Sequence, residues 1–104
     1  MITARTYSLS SQAIRDLINI YKFLDDKNPI AGERLVSSIE RKIKDTARLG
    51  LTGVSRDWIS NGLRAVHHKN RCIYFRVKEN ELRILRVVHG HQHIDAEDVI
   101  EKEN

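Results

Sequence analysis

The stretch that decides the fold is GLRAVHHKNRCIYFRVKENELRILRVVHGHQH, residues 62–93. It divides into three short runs rich in β-branched, aromatic and other apolar residues, which is the composition of β-strands. The runs cover about 63–68, 72–78 and 82–89. Lys69-Asn70 and Glu79-Asn80 separate them and provide polar turn residues. The stretch therefore predicts three consecutive strands joined by tight turns, which form a three-stranded antiparallel sheet.

The same stretch has an excess of positive charge. It holds seven Lys/Arg residues against two acids, a net charge of +5, and it contains all five histidines. A sheet with a dense basic and histidine surface suits an anionic ligand or an acidic partner protein. Residues 94–104 have the opposite sign, with one basic and five acidic residues. We expect a domain over residues 1–95 and a solvated acidic tail over residues 96–104.

Two amphipathic helices are predicted before the sheet. Ser10 can cap the first helix, and Asp25-Asp26-Lys27 closes it. Asn28-Pro29 opens the second, because proline lacks an N–H at a position where the helix has no acceptor for one. Apolar residues recur at spacings of three and four, which places them on one face of each helix. They are Ala13, Leu17, Ile20, Tyr21 and Leu24 in the first helix and Ala31, Leu35, Val36, Ile39, Ile43 and Ala47 in the second.

The predicted order is completed by a short opening strand over Ile2–Leu9. This gives β-α-α-β-β-β, an α+β domain in which an antiparallel helical hairpin covers the sheet. Residues 54–61 are predicted to be a loop held in place by Trp58 and Ile59.

Cysteine usage and hydropathy restrict the class of protein. A single cysteine, Cys72, cannot form an internal disulfide, which fits a reducing compartment. Its position in an apolar strand predicts a buried packing residue rather than a nucleophile. No apolar segment approaches the length that spans a membrane, so we expect a cytoplasmic protein without membrane partners.

Several short motifs, taken in order, carry a resemblance to a known family. They are Tyr7-Ser8-Leu9-Ser10, Pro29 with Ala31, Asn61-Gly62-Leu63-Arg64, Ile73-Tyr74-Phe75-Arg76-Val77 and Ile84-Leu85-Arg86-Val87-Val88-His89-Gly90. Through them the chain resembles the ParE/RelE superfamily of toxins from bacterial type II toxin–antitoxin pairs, and the ParE branch most closely. The resemblance covers about residues 2–95.

The resemblance implies a toxin that acts without a cofactor or metal. A cognate ParD-like antitoxin would silence it by wrapping an extended C-terminal segment over its helices and sheet, in a toxin–antitoxin hetero-oligomer. ParE toxins are associated with poisoning DNA gyrase, which causes growth arrest. The toxin–antitoxin pair as a whole is associated with stabilisation of the plasmid or chromosome that encodes it. RelE-type relatives instead cleave messenger RNA on the ribosome. Because one fold carries both activities, the chemistry has to be argued from the residues.

For a gyrase poison we expect binding through the sheet and the C-terminal region, without catalytic turnover. The residues that would contact the target are Arg64, Arg71, Arg83, Arg86, His89, His91 and His93. The residues that would contact the antitoxin are Tyr21, Leu24, Leu35, Ile39 and Arg76. Ordinary structural roles remain open for all of them: solvated strand positions or ion pairs for the arginines, and core packing for the apolar side chains.

A ribosome-dependent mRNA endonuclease is the alternative, with Arg71 and His89 as its catalytic residues. They occupy places where some RNA-cleaving relatives carry a phosphate-contacting arginine and an acid–base histidine. We favour gyrase because Gly90, and not an aromatic or acidic residue, follows His89, and because the sheet has only Lys69 and Lys78 as lysines. A second alternative is a non-toxic relative that only binds its antitoxin.

The three C-terminal histidines have a spacing that invites a metal hypothesis. In an extended backbone, His89, His91 and His93 would all point to one side, as zinc ligands can. No cysteine or carboxylate completes the set, and the resembling family uses no metal. We therefore expect no metal site.

Overall fold

The computed structural model describes residues 4–25 and 28–101. Two α-helices lie beside a five-stranded sheet, and a short 3-10 helix follows the last strand. The elements are β1 (Thr6–Leu9), α1 (Ser11–Asp25), α2 (Pro29–Arg48), β2 (Val54–Ser55), β3 (Arg64–His68), β4 (Arg71–Lys78), β5 (Glu81–His89) and the 3-10 helix (Ala96–Val99). The predicted strand start at Ile2 and the predicted helix end at Asp26-Lys27 lie outside the described residues.

The sheet is larger than predicted and is mixed. Its order is β1-β5-β4-β3-β2, with β1 parallel to β5 and all other neighbours antiparallel. The α+β class is confirmed, but the three-stranded antiparallel description is wrong. β1 and β2 occupy opposite edges of the sheet, so the helical hairpin between them carries the chain from one edge to the other, and β1 pairs with the outer edge of β5. On the other side, β2 has two residues, too few to show the alternation by which a strand is recognised.

The helix starts follow their capping residues, as predicted. Ser10 Oγ accepts a hydrogen bond from Ala13 N at 3.0 Å and donates one to Leu85 O at 2.9 Å, which ties the start of α1 to β5. Asn28 Oδ1 accepts from Ile30 N and Ala31 N at the start of α2. Neither helix, within residues 4–25 and 28–101, is long and apolar enough to cross a membrane.

The sheet buries both of its faces. The first core lies between sheet and helices and includes Ile39, Ile43, Ile73, Phe75 and Val87. The second core lies on the opposite face, beneath the segment that follows β5. It comprises Leu63, Ala65, Cys72, Tyr74, Leu85, Val88, Ile94 and Val99.

The second core corrects the expectation of a solvated tail. Val99 is only 2% exposed, so the described part of the tail packs on the sheet. The reason is that Leu85 and Val88 face away from the helices and need a cover. The domain boundary after residue 95 stays a prediction.

A β-bulge lets β5 serve both cores. Tyr74 pairs with Arg86 and Phe75 with Ile84, so Leu85 is an extra residue on β5. Strict alternation would place Ile84 and Val87 on opposite faces, because they are three residues apart. The bulge brings both into the first core, while Leu85 joins the second.

Two other predictions have opposite outcomes. Cys72 is 2% exposed, as predicted for a packing residue, and burial raises the pKa of its thiol. Trp58 is 76% exposed, so the prediction that it pins the loop is wrong. Its neighbour Ile59 does pack against the second core.

Candidate functional site

A row of three polar side chains crosses the sheet where β3, β4 and β5 meet their turns. Arg71 is directly opposite both His68 on β3 and His89 on β5. Directly opposite residues share a face of the sheet, with Cβ atoms about 4.5–5.5 Å apart. The two residues proposed for RNA cleavage are therefore brought together. His68 was not predicted, because it joins them only through the register set by the two-residue turn Lys69-Asn70.

Within this row, the His68 ring is held by a helix. Its Nε2 lies 3.0 Å from Ser38 Oγ, and it lines an open groove of about 560 Å³ along α2. Desolvation, followed by the charges of Lys69 and Lys42, lowers the pKa of His68 below its usual value of 6.5. The imidazole is therefore mostly neutral at pH 7, with one nitrogen able to accept a proton.

Arg71 and His89 are accessible at the same edge. Arg71 is half-buried, and its guanidinium makes no hydrogen bond or ion pair within the described part of the chain. His89 is exposed, and its Nδ1 accepts a hydrogen bond from His91 N at 3.3 Å. In the tautomer that accepts this bond, the ring N–H is on Nε2 and can act as a hydrogen-bond donor. The centroids of the His89 and His91 rings are 5.3 Å apart.

The predicted one-sided array of histidines is wrong. The chain turns at Gly90, whose N–H donates to Asn70 O at 2.8 Å, and the strand does not continue. His93 instead lies beside Asp95, with 2.8 Å between Nε2 and Oδ1. In residues 4–25 and 28–101, no group of three His, Cys, Asp or Glu side chains is placed to hold a metal ion.

Arg86 lies in a partly buried ion pair. It donates from Nε and Nη2 to both carboxylate oxygens of Asp16 on α1, at 2.8 and 3.1 Å, and from Nη1 to Asp98 O. Asp16 Oδ2 also accepts from Val87 N at 2.9 Å. Hydrogen bonding to Asp16 raises the pKa of Arg86 further. This arginine joins α1, β5 and the C-terminal segment, so its predicted contact with a target would compete with that structural role.

Arg64 and Arg83 also have intramolecular partners. Arg64 donates from Nε to Thr52 O and from Nη2 to Gly53 O, which holds the loop that leads into β2. Arg83 forms an ion pair with Glu101 and donates to Ser8 Oγ at 3.0 Å. Of the predicted target contacts, Arg71, His89 and His91 are thus the most available.

An apolar groove of about 310 Å³ lies between the outer faces of α1 and α2. Tyr21 lines it and is 42% exposed, together with Ile14 and Ile18, each 45% exposed. These three residues recur at i, i+4 and i+7, which places them in one stripe on α1. Ile14 and Ile18 were not predicted to be partner contacts, because the apolar spacing of α1 indicates a single core-facing stripe.

The other predicted antitoxin contacts differ in exposure. Leu24 and Leu35 are half-buried and pack against the first core, so each still has an accessible edge. Ile39 is fully buried in the first core, so its predicted antitoxin contact has no exposed surface in the free chain. Arg76 lies on the opposite face of the sheet, half-buried, and donates to Ser60 Oγ at 2.7 Å.

Comparisons with known proteins support this architecture. Residues 7–94 match the family model described as the ParE toxin of the type II toxin–antitoxin system parDE. A solved structure described as a chromosomal ParDE toxin–antitoxin system from P. aeruginosa is similar in fold, with a TM-score of 0.69 and 24% identity. The match covers 82% of this chain and 95% of that one. A comparison with curated proteins found no match. Because the family model spans most of its length, this chain belongs to the ParE toxin family of type II toxin–antitoxin systems.

Proposed function

We propose that this chain is a cytoplasmic toxin that inhibits DNA gyrase and so blocks replication, and that a ParD-like antitoxin neutralises it. Membership of the ParE family is the observation that carries the proposal. The geometry adds a candidate contact surface for the target: Arg71, His89 and His91 are accessible side chains that the fold does not use for packing. Inhibition would occur by binding alone, without turnover.

The antitoxin would occupy the groove between α1 and α2. Exposed apolar side chains in one stripe of a helix are the usual anchors for an amphipathic partner helix. Ile14, Ile18 and Tyr21 provide such a stripe, and the buried Leu17 and the half-buried Val36 form the floor. The toxin and antitoxin would then form a hetero-oligomer, as type II pairs do.

The test is to induce the chain without antitoxin and follow labelled thymidine and methionine incorporation over the first minutes. We expect early loss of thymidine uptake while translation continues, and loss of supercoiling by purified gyrase when the protein is added. With the Arg71→Ala/His89→Ala variant, thymidine uptake and supercoiling by gyrase should both stay at their normal levels. An Arg15→Ala variant removes an exposed positive charge on α1 and should remain toxic. Immediate loss of methionine uptake would refute gyrase as the target.

Cleavage of messenger RNA is the second candidate, and the row His68–Arg71–His89 favours it. Neighbouring strands are about 4.8 Å apart, so the two histidines are separated by roughly 10 Å at the backbone, with the arginine between them. In such a reaction the 2′-oxygen bonds to phosphorus while the bond from phosphorus to the 5′-oxygen breaks. One imidazole would accept the 2′-hydroxyl proton, the other, in its protonated form, would give a proton to the leaving 5′-oxygen, and Arg71 would neutralise the negative charge on the phosphoryl oxygens.

The two candidates differ in how they respond to single substitutions. An endonuclease should lose nearly all toxicity with His89→Ala or His68→Ala, because either change removes a proton-transfer step. A gyrase poison should lose toxicity only partly, because each side chain is one contact among several. A folded chain that causes no growth arrest at all would indicate a relative that only binds its antitoxin.

A further inference from the structure

A small pocket lies on the sheet face opposite the helices, where the C-terminal segment leaves the 3-10 helix. Its volume is about 320 Å³. Leu85 and Val99 of the second core contribute apolar lining. Its charged lining consists of Arg76, Lys78, Arg83 and Glu101. Three cations and one carboxylate give the pocket a net charge of +2, so Glu101 neutralises only one of the three positive charges.

Glu101 accepts hydrogen bonds from only one of the three cationic side chains of the pocket, Arg83. Arg83 donates from Nε and Nη2 to the same oxygen, Oε1, at 2.8 and 2.5 Å. Within the described residues, no hydrogen bond reaches the second carboxylate oxygen. The Arg83 hydrogen bond, with Lys78 and Arg76 contributing through their charges, lowers the pKa of Glu101. The carboxylate is therefore ionised at neutral pH.

Two of the cations have unused donors. Arg76 donates from Nη2 to Ser60 Oγ, whereas its Nη1 is buried without a hydrogen-bond partner. A buried donor without an acceptor is costly, and more so on a charged group. The side chain of Lys78 is exposed, and its ammonium group has no hydrogen bond or ion pair within the described part of the chain. Arg76 and Arg83 are directly opposite each other on β4 and β5, so their side chains share this face.

We propose that this pocket binds the side-chain carboxylate of an acidic partner segment, and that Glu101 occupies it as an internal competitor in the free protein. Two guanidinium groups on one face, above apolar side chains, match a carboxylate's two oxygens. An antitoxin segment rich in Asp and Glu is the partner that this chemistry indicates. That assignment of the partner rests on the proposed function, whereas the preference of the pocket for a carboxylate does not.

Arginine side-chain NMR of the full chain tests the pocket directly. The probe is acetyl-glutamate amide, which carries a single side-chain carboxylate. We expect the Nε–Hε signals of Arg76 and Arg83 to shift on titration, and the Glu101→Gln variant to saturate at a severalfold lower concentration. Arg15 and Arg48 serve as exposed controls in the same spectrum. The proposal is overturned if Arg76 and Arg83 shift no more than these controls, or if inorganic phosphate saturates the pocket at lower concentration.

Matched lysine variants keep the test independent of the packing of Arg76. Lys78→Ala should weaken the binding of the probe severalfold, whereas Lys22→Ala removes an exposed lysine of α1 and should leave it unchanged. Equal effects would refute a local site. If Lys78→Ala loses the probe but binds the neutralising antitoxin as tightly as wild type, the antitoxin is not the source of the carboxylate.

Discussion

Asp16 accepts three hydrogen bonds, two from Arg86 and one from Val87 N. Its removal would leave Nε and Nη2 of Arg86 and the N–H of Val87 without these acceptors in a partly buried site, where only Asp98 would still lie beside the guanidinium. We expect Asp16→Ala to lower the free energy of unfolding by about 3 kcal/mol, near the lower end of the values for broken buried pairs. Asp45→Ala removes an exposed pair with Arg48 and should cost about 0–1 kcal/mol. Equal costs in urea unfolding would contradict the structural role of Arg86.

His68 gives the fold a predictable dependence on pH. Its folded-state pKa is lowered, mainly by desolvation, so between that pKa and about 6.5 the unfolded chain binds more protons than the folded one. Stability should therefore fall as the pH decreases through this window. The effect will be small because the ring is only half-buried. His68→Gln should flatten the curve of Tm against pH between 7 and 5, and an NMR titration of the ring should give a pKa below 6.5. A value above 6.5 would contradict this assignment.

At the scale of elements, the segment after β5 acts as a cover for the second core. Val99→Ala removes about two methylene equivalents from a side chain that is 2% exposed, so we expect a loss of roughly 2 kcal/mol. Ile100→Ala, at a position that is 52% exposed, should change stability by less than about 0.5 kcal/mol. Urea unfolding distinguishes the two. Similar small losses would mean that the segment does not pack on the sheet in solution.

The same elements mark how far the sequence alone could predict the structure. Spacing and capping were sufficient for α1 and α2, and turn residues located β3, β4 and β5. A two-residue strand has no periodicity, and an acidic composition concealed that Val99 fills a hydrophobic site. Arg71 and His89 were predicted through the resemblance to RNA-cleaving relatives, some of which carry an arginine and a histidine at the corresponding places. His68 was not, since its place beside Arg71 depends on register, which only the folded sheet fixes.

At the scale of the molecule, the apolar groove and the row His68–Arg71–His89 are built from different elements, so binding of antitoxin and toxicity should be separable. We expect Ile18→Glu to place a charge in the groove and remain toxic while escaping the antitoxin, because burying an unpaired carboxylate opposes docking. Arg71→Ala/His89→Ala should show the reverse: no toxicity, but intact antitoxin binding. Growth assays with and without antitoxin, together with pull-down of the purified pair, measure both properties. If either variant loses both toxicity and antitoxin binding while its unfolding curve matches wild type, the groove and the row belong to one functional surface. The antitoxin would then neutralise the toxin by covering the row His68–Arg71–His89.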